Sequence, residues 1–235
     1  ISRYAHRAAQ AGRHDRSVDR FVVEALFTTV TNVNFDPQRI NGLVDQSLDM
    51  IERARRLHEQ ACAAEGQSPD VFQPAPWSTP GSYDERIRQG EEIGIEAHIA
   101  ALGADVTSLQ ELLLYGLKGM AAYADHALIL GQEDDAVYSF FHEALDFLTR
   151  TDASVDELTA MVLRCGEVNL RVMELLDTAN TGAYGHPEPT KVRVTPVKGK
   201  CILVSGHDLK DLEELLKQTD GTGINVYTHS EMLPA

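Results

Sequence analysis

Residues 200–208 read Lys200-Cys-Ile-Leu-Val-Ser-Gly-His207-Asp208, and residues 209–219 continue as Leu209-Lys-Asp-Leu-Glu-Glu-Leu-Leu-Lys-Gln-Thr219. After Asp220-Gly221-Thr222 the chain runs Gly223-Ile-Asn-Val-Tyr-Thr-His-Ser-Glu231-Met-Leu-Pro-Ala235. Cys201 to Val204 is a short apolar run closed by Ser205-Gly206, the pattern of a buried parallel strand. Asp208 can cap a helix whose Leu209, Leu212, Leu215 and Leu216 recur at helical spacing. Gly221 and Gly223 end that helix, and Ile224 to Thr228 is a second strand, rich in β-branched and aromatic residues. Strand, helix and strand form a βαβ unit, whose strands lie parallel with a right-handed crossover.

Ligands of open α/β sheets sit beyond the carboxyl ends of the strands. His207 follows the first strand and Glu231 the second, so both face one crevice. An imidazole and a carboxylate converging there can ligate iron or zinc. Spacing alone also admits a plainer reading, in which His207 joins Asp208 at the helix start and Glu231 is a solvated loop residue.

Ser-Gly-His207-Asp-Leu-Lys-Asp-Leu and the later Asn-Val-Tyr-Thr-His-Ser-Glu231-Met-Leu-Pro-Ala resemble the hybrid cluster protein family, also called prismane proteins or hydroxylamine reductases. The resemblance extends upstream through Thr31-Asn-Val-Asn-Phe-Asp36, Leu114-Tyr-Gly-Leu-Lys-Gly119 and Tyr184-Gly-His-Pro187, and is weakest between Gly66 and Gly81. It implies that His207 and Glu231 are ligands of a hybrid iron–sulfur–oxygen cluster. Ser230 stands where the family usually has Gly. The resemblance further implies a second iron–sulfur cluster, cubane 4Fe-4S or 2Fe-2S, whose cysteine ligands lie outside this chain. Further hybrid-cluster ligands (cysteines, a second Glu and a Lys) are expected after Ala235. On this reading the chain is a fragment without the N- and C-terminal parts, and is inactive by itself.

The implied activity is reduction of hydroxylamine to ammonia and water, or of nitric oxide to nitrous oxide, with electrons from a partner redox protein. Taken without the resemblance, His207 and Glu231 also suit a hydrolase with one metal ion, and the whole chain a non-catalytic interaction module.

Composition narrows the partners. There are 36 Asp and Glu against 21 Lys and Arg in 235 residues, a formal net charge of −15. A phosphate backbone is bound through Lys and Arg, so this balance argues against nucleic acid. No apolar run reaches the roughly 18 residues of a membrane helix, and no signal peptide is expected. Cys62, Cys165 and Cys201 lie far apart with no CxxC spacing, which suits small packed hydrophobes in a reducing cytoplasm. Cys201 is expected to pack into the sheet.

Upstream the periodicity is helical throughout, so residues 1–182 are read as an all-helical bundle, 183–190 as a linker, and 191–235 as the start of a Rossmann-like α/β domain. Asp15 or Ser17 caps a helix over 18–31. Asp36 with Pro37 at the first turn starts one that reaches Ala64 and buries Ile40, Leu43, Val44, Leu48, Ile51 and Leu57. One helix is expected over 83–102, and Thr107 with Gln110 reads as a capping box opening the next. Within that helix Gly116 and Gly119 point to close approach of a neighbouring helix. Helices over 133–150 and from Ser154 to Thr181-Gly182 complete the bundle. Val192, Val194 and Val197 give a short edge strand interrupted by Pro196. Asp125-His126 and His142-Glu143 are placed on polar helix faces, His186 in a loop, and His229 at a strand end beside the expected ligand pair.

Overall fold

The computed structural model describes residues 1–30, 36–69 and 81–233. Readings that fall on residues 31–35, on Trp77 and on Pro234-Ala235 lie outside them. Among the described residues the helices are α1 (Ser2–Gln10), α2 (Arg16–Thr28), α3 (Pro37–Ala64), α4 (Tyr83–Glu92), α5 (Ile95–Leu102), α6 (Ala104–Ile129), α7 (Asp135–Phe147) and α8 (Val155–Tyr184). Strand β1 (Cys201–Ser205), helix α9 (Leu209–Thr219), strand β2 (Asn225–His229) and a 3-10 turn (Ser230–Met232) follow. The chain is thus a helical bundle followed by one βαβ unit with a parallel two-stranded sheet.

Local chemistry sets most helix starts. Asp15 accepts from the Ser17 amide, Asp36 from Gln38 and Arg39, and Asp134 from Ala136. Each acceptor satisfies amides that have no partner within the helix. At Ser154 a full capping box forms with Glu157. Hydrogen bonds from the Ser154 amide and hydroxyl, then from Arg150, hold the Glu157 carboxyl down at about 2.

The core lies around α6, whose Leu113, Leu117 and Met120 are fully buried against Val23 of α2, Phe140 and Phe141 of α7, and Val172 of α8. Each such side chain contributes about 1.5–3 kcal/mol through burial. At Gly116 a Cβ would stand 3.0 Å from Cys165 Sγ, so α6 and α8 do approach closely there. At Gly119 a Cβ would meet nothing within 4 Å, and that glycine has no such role.

One polar network is sealed inside the bundle. His142 on α7 places Nε2 2.9 Å from Asp19 Oδ1 on α2, both side chains being 2% exposed. Its Nδ1 lies 3.3 Å from Ser2 Oγ, and Arg16 Nη1 lies 3.4 Å from Asp19 Oδ2. The expected polar placement of His142 is therefore wrong: the α7 stripe turns it inward, where Asp19 satisfies it.

Other expectations need correcting. The helix over 83–102 is two, because Ile93-Gly94 breaks it and Gly94 is the N-cap of α5. Helix α6 starts at Ala104 behind Gly103 (φ +84°), so Thr107 is inside it, buried, with no hydrogen-bond partner for Oγ1. Helix α8 runs past Gly182 and ends at Tyr184, where Gly185 takes φ +83°. Helix α3 buries Ala54, His58, Ala61 and Cys62, while Ile40 and Leu48 are exposed. Val192, Val194 and Val197 form no strand; no described strand pairs with them, the Val197 amide donates to the Tyr227 hydroxyl instead, and Val194 is 90% exposed. Strand β1 alternates rather than being buried, with Leu203 67% exposed and Cys201 facing solvent.

Truncating Asp19 to Ala leaves His142 and Arg16 without their shared carboxylate, and breaking a buried pair costs about 3–5 kcal/mol. Urea unfolding of Asp19→Ala against the parent checks this; a loss below about 1 kcal/mol, the value of an exposed pair, would show that the network holds nothing together.

Candidate metal site

The sheet register aligns Cys201 with Asn225 and carries through to Ser205 opposite His229, so both strands end level. Beyond β1, Gly206 takes φ +145°, a conformation glycine adopts freely, and the chain turns into His207 and Asp208. Asp208 Oδ1 accepts from the Lys210 and Asp211 amides at 2.8 and 3.2 Å and so fixes the start of α9. Beyond β2, Ser230 takes φ +58° and starts the 3-10 turn, which buried Met232 anchors. Glu231 stands between them.

These two exits bring His207 Nδ1 to 3.8 Å from Glu231 Oε2. Their side chains are 58% and 72% exposed, so both groups keep their hydration and can meet a ligand from solvent. The convergence expected from the βαβ reading is present.

Behind His207 stands a residue that the sequence pattern assigned to a polar helix face and not to the site. His126, near the end of α6, lies with its ring centroid 5.3 Å from that of His207, tilted by 52°. Its Nε2 is 3.5 Å from Asp208 Oδ2, and its side chain is only 13% exposed. Phe27 of α2 meets the His126 ring edge-on at 5.5 Å and 85°. The expected polar-face placement of His126 is therefore corrected; Phe27, His207 and Asp208 cover it from outside α6, which no periodicity within α6 reports. A cavity of about 40 Å³ lies alongside, lined by His126, Leu130, Leu176, Asn180, His207 and Leu209. The neighbouring Asp125 carboxyl is raised above its ordinary range, first by burial; His126 opposes that shift, and the charges of Glu24 and Asp208 add to it.

A larger cavity of about 480 Å³ lies between α2 and α3, lined by Asp15, Asp49, Glu52, Arg53 and Arg56. Its two arginines are taken up by its own carboxylates, Arg53 by Asp15 and Arg56 by Glu52. It offers no converging donors.

Imidazole nitrogen and carboxylate oxygen are donors that iron accepts, and His207 and Glu231 are close enough to serve one metal centre. They fit as two members of a larger ligand set. Among the described residues no group of three or more His, Cys, Asp or Glu side chains could hold a metal ion. Cys62 and Cys165 are buried, and burial raises the Cys165 thiol. His186 and His229 are both exposed.

Comparison with known proteins bears on this pair. A family model described as the Prismane/CO dehydrogenase family matches residues 1–235. A protein named hydroxylamine reductase from Rhodospirillum rubrum is 50% identical, covering 100% of this chain and 43% of that protein. Another of that name from Syntrophobacter fumaroxidans is 51% identical over 100% of this chain and 42% of its own length. A third, from Methanocella arvoryzae, is 44% identical over 100% of this chain and 43% of its own length. The chain thus spans well under half the length of the curated relatives it matches.

Two outcomes follow from the geometry. Because His207 and Glu231 are exposed, His207→Ala and Glu231→Ala should each shift stability by no more than about 0.5 kcal/mol; a loss of several kcal/mol in urea unfolding would mean that the pair holds the fold. Ser230 occupies the left-handed region, which costs a residue with a Cβ about 1–2 kcal/mol, partly offset by the greater freedom of unfolded glycine. Ser230→Gly should therefore exceed Ser230→Ala in stability by about 0.5–1 kcal/mol, and the reverse order would place Ser230 outside that region.

Proposed function

The chain belongs to the Prismane/CO dehydrogenase family, and from that premise we propose that the whole protein is an iron–sulfur oxidoreductase acting on hydroxylamine. The reaction is NH2OH plus two electrons and two protons giving ammonia and water, so the N–O bond breaks and the substrate is reduced. His207 and Glu231 are two ligands of a hybrid iron–sulfur–oxygen cluster. What supports the reading is their approach to 3.8 Å at the level ends of two parallel strands, in a chain that matches the family along its length.

The cluster would supply electrons and Lewis acidity, and the hard chemistry is its own. The chain's part is to present donors. His207 gives a neutral nitrogen and Glu231 an anionic oxygen, harder than thiolate and suited to a centre that takes up nitrogen- and oxygen-bearing molecules. The 3-10 turn with Met232 buried beneath it holds the Glu231 backbone, while the Asp208 cap fixes the start of α9 just after His207.

The proposal includes a second iron–sulfur cluster, cubane 4Fe-4S or 2Fe-2S, with ligands outside this chain, and a redox partner protein as electron donor. It keeps the division into a bundle (1–182), a linker (183–190) and an α/β part (191–235). The free cysteines Cys62, Cys165 and Cys201 suit a cytoplasmic protein. Among the described residues no helix is long and apolar enough to cross a membrane.

Iron, acid-labile sulfide and hydroxylamine-dependent oxidation of a reduced dye, measured on the whole protein, test the proposal. His207→Ala and Glu231→Ala should each lose hybrid-cluster iron and dye oxidation together. Full iron and full turnover in both variants would overturn the assignment. Residues 1–235 alone, with two ligands of the set, should retain no stoichiometric iron and sulfide and should be inactive.

A further inference from the structure

We infer that His126 is a positioning residue for His207, setting the plane in which that imidazole meets the metal centre; this rests on His207 being an iron ligand. His207 sits on a short exposed link between β1 and α9, with 58% of its side chain in solvent. Gly206 on one side of it takes φ +145° and has no side chain to pack against the ring. An imidazole in that position has little of its own element to fix its ring.

The restraint comes from the bundle. His126 projects from α6, a helix packed along α2 and α8, and is itself held by the edge of the Phe27 ring. Its ring lies against that of His207 at 5.3 Å, within the range of aromatic pairing. Its Nε2 faces Asp208 Oδ2, while Asp208 Oδ1 is engaged with the first amides of α9. One half-buried side chain therefore touches both His207 and the cap that follows it. Tyr184, at the end of α8, adds a tie from the bundle by donating to Glu213 on α9 at 3.0 Å. Residues that orient a metal ligand without touching the metal commonly contribute about 10–100-fold to metal affinity.

Three variants of the whole, cluster-bearing protein separate the contacts. His126→Ala removes both, His126→Phe keeps a ring against His207, and His126→Gln keeps an amide donor toward Asp208. The readout is the nitrogen coupling of an imidazole ligand, measured by pulsed EPR with 15N-labelled histidine, together with iron retention against a chelator. Expected is a shifted or divided coupling in His126→Ala and iron retention lowered about 10–100-fold, with smaller changes in His126→Phe and His126→Gln. If His126→Ala does not accumulate, the other two are read by the same criterion. His207→Ala is the reference. If it abolishes the coupling while every His126 variant keeps the parent signal and retention, the positioning role is overturned and the ligand assignment stands. If His207→Ala leaves the coupling in place, the ligand assignment fails and the role of His126 toward the metal fails with it.

Discussion

The structure depends most on the pairing of β1 with β2. With Ser205 opposite His229, the parallel register makes two strands end at one level, so the residues that follow them share one crevice. A one-residue slip would reverse the faces of every side chain on one strand and move one exit away from the other. The half-buried Ile202 and Val204 of β1 and the buried Leu212 of α9 resist that slip.

The bundle also contributes to the site. Helix α6 spans from the fully buried Leu113 and Leu117 at the core to His126 at the junction, so rigidity generated by close packing reaches the back of the His207 ring. The cluster of Ala127, Leu175 and Ala179 closes the same end of α6 against α8.

What was legible in the sequence was local. Asp15, Asp36, Ser154 with Glu157, and Asp208 each announced a helix start, because a cap needs only a few neighbouring residues. The βαβ unit was legible for the same reason, and with it the convergence of His207 and Glu231. Where tertiary packing decides, the reading failed. Thr107 and Gln110 look like a capping box, but Gly103 lets α6 begin earlier and buries Thr107 in a neighbouring contact. Val192 and Val194 have strand propensity without a strand to pair with, which is insufficient. His142 and His126 occupy positions that periodicity marks as polar; a distant Asp19 lets His142 inside, and a distant Asp208 meets His126 where it is half-buried.

Anomalous diffraction at the iron edge from crystals of the whole protein tests the central claim most directly. The account predicts iron density in bonding contact with both side chains, His207 and Glu231, at the carboxyl ends of β1 and β2. Iron density contacting neither, or a structure in which the two residues leave opposite ends of the sheet, would contradict it.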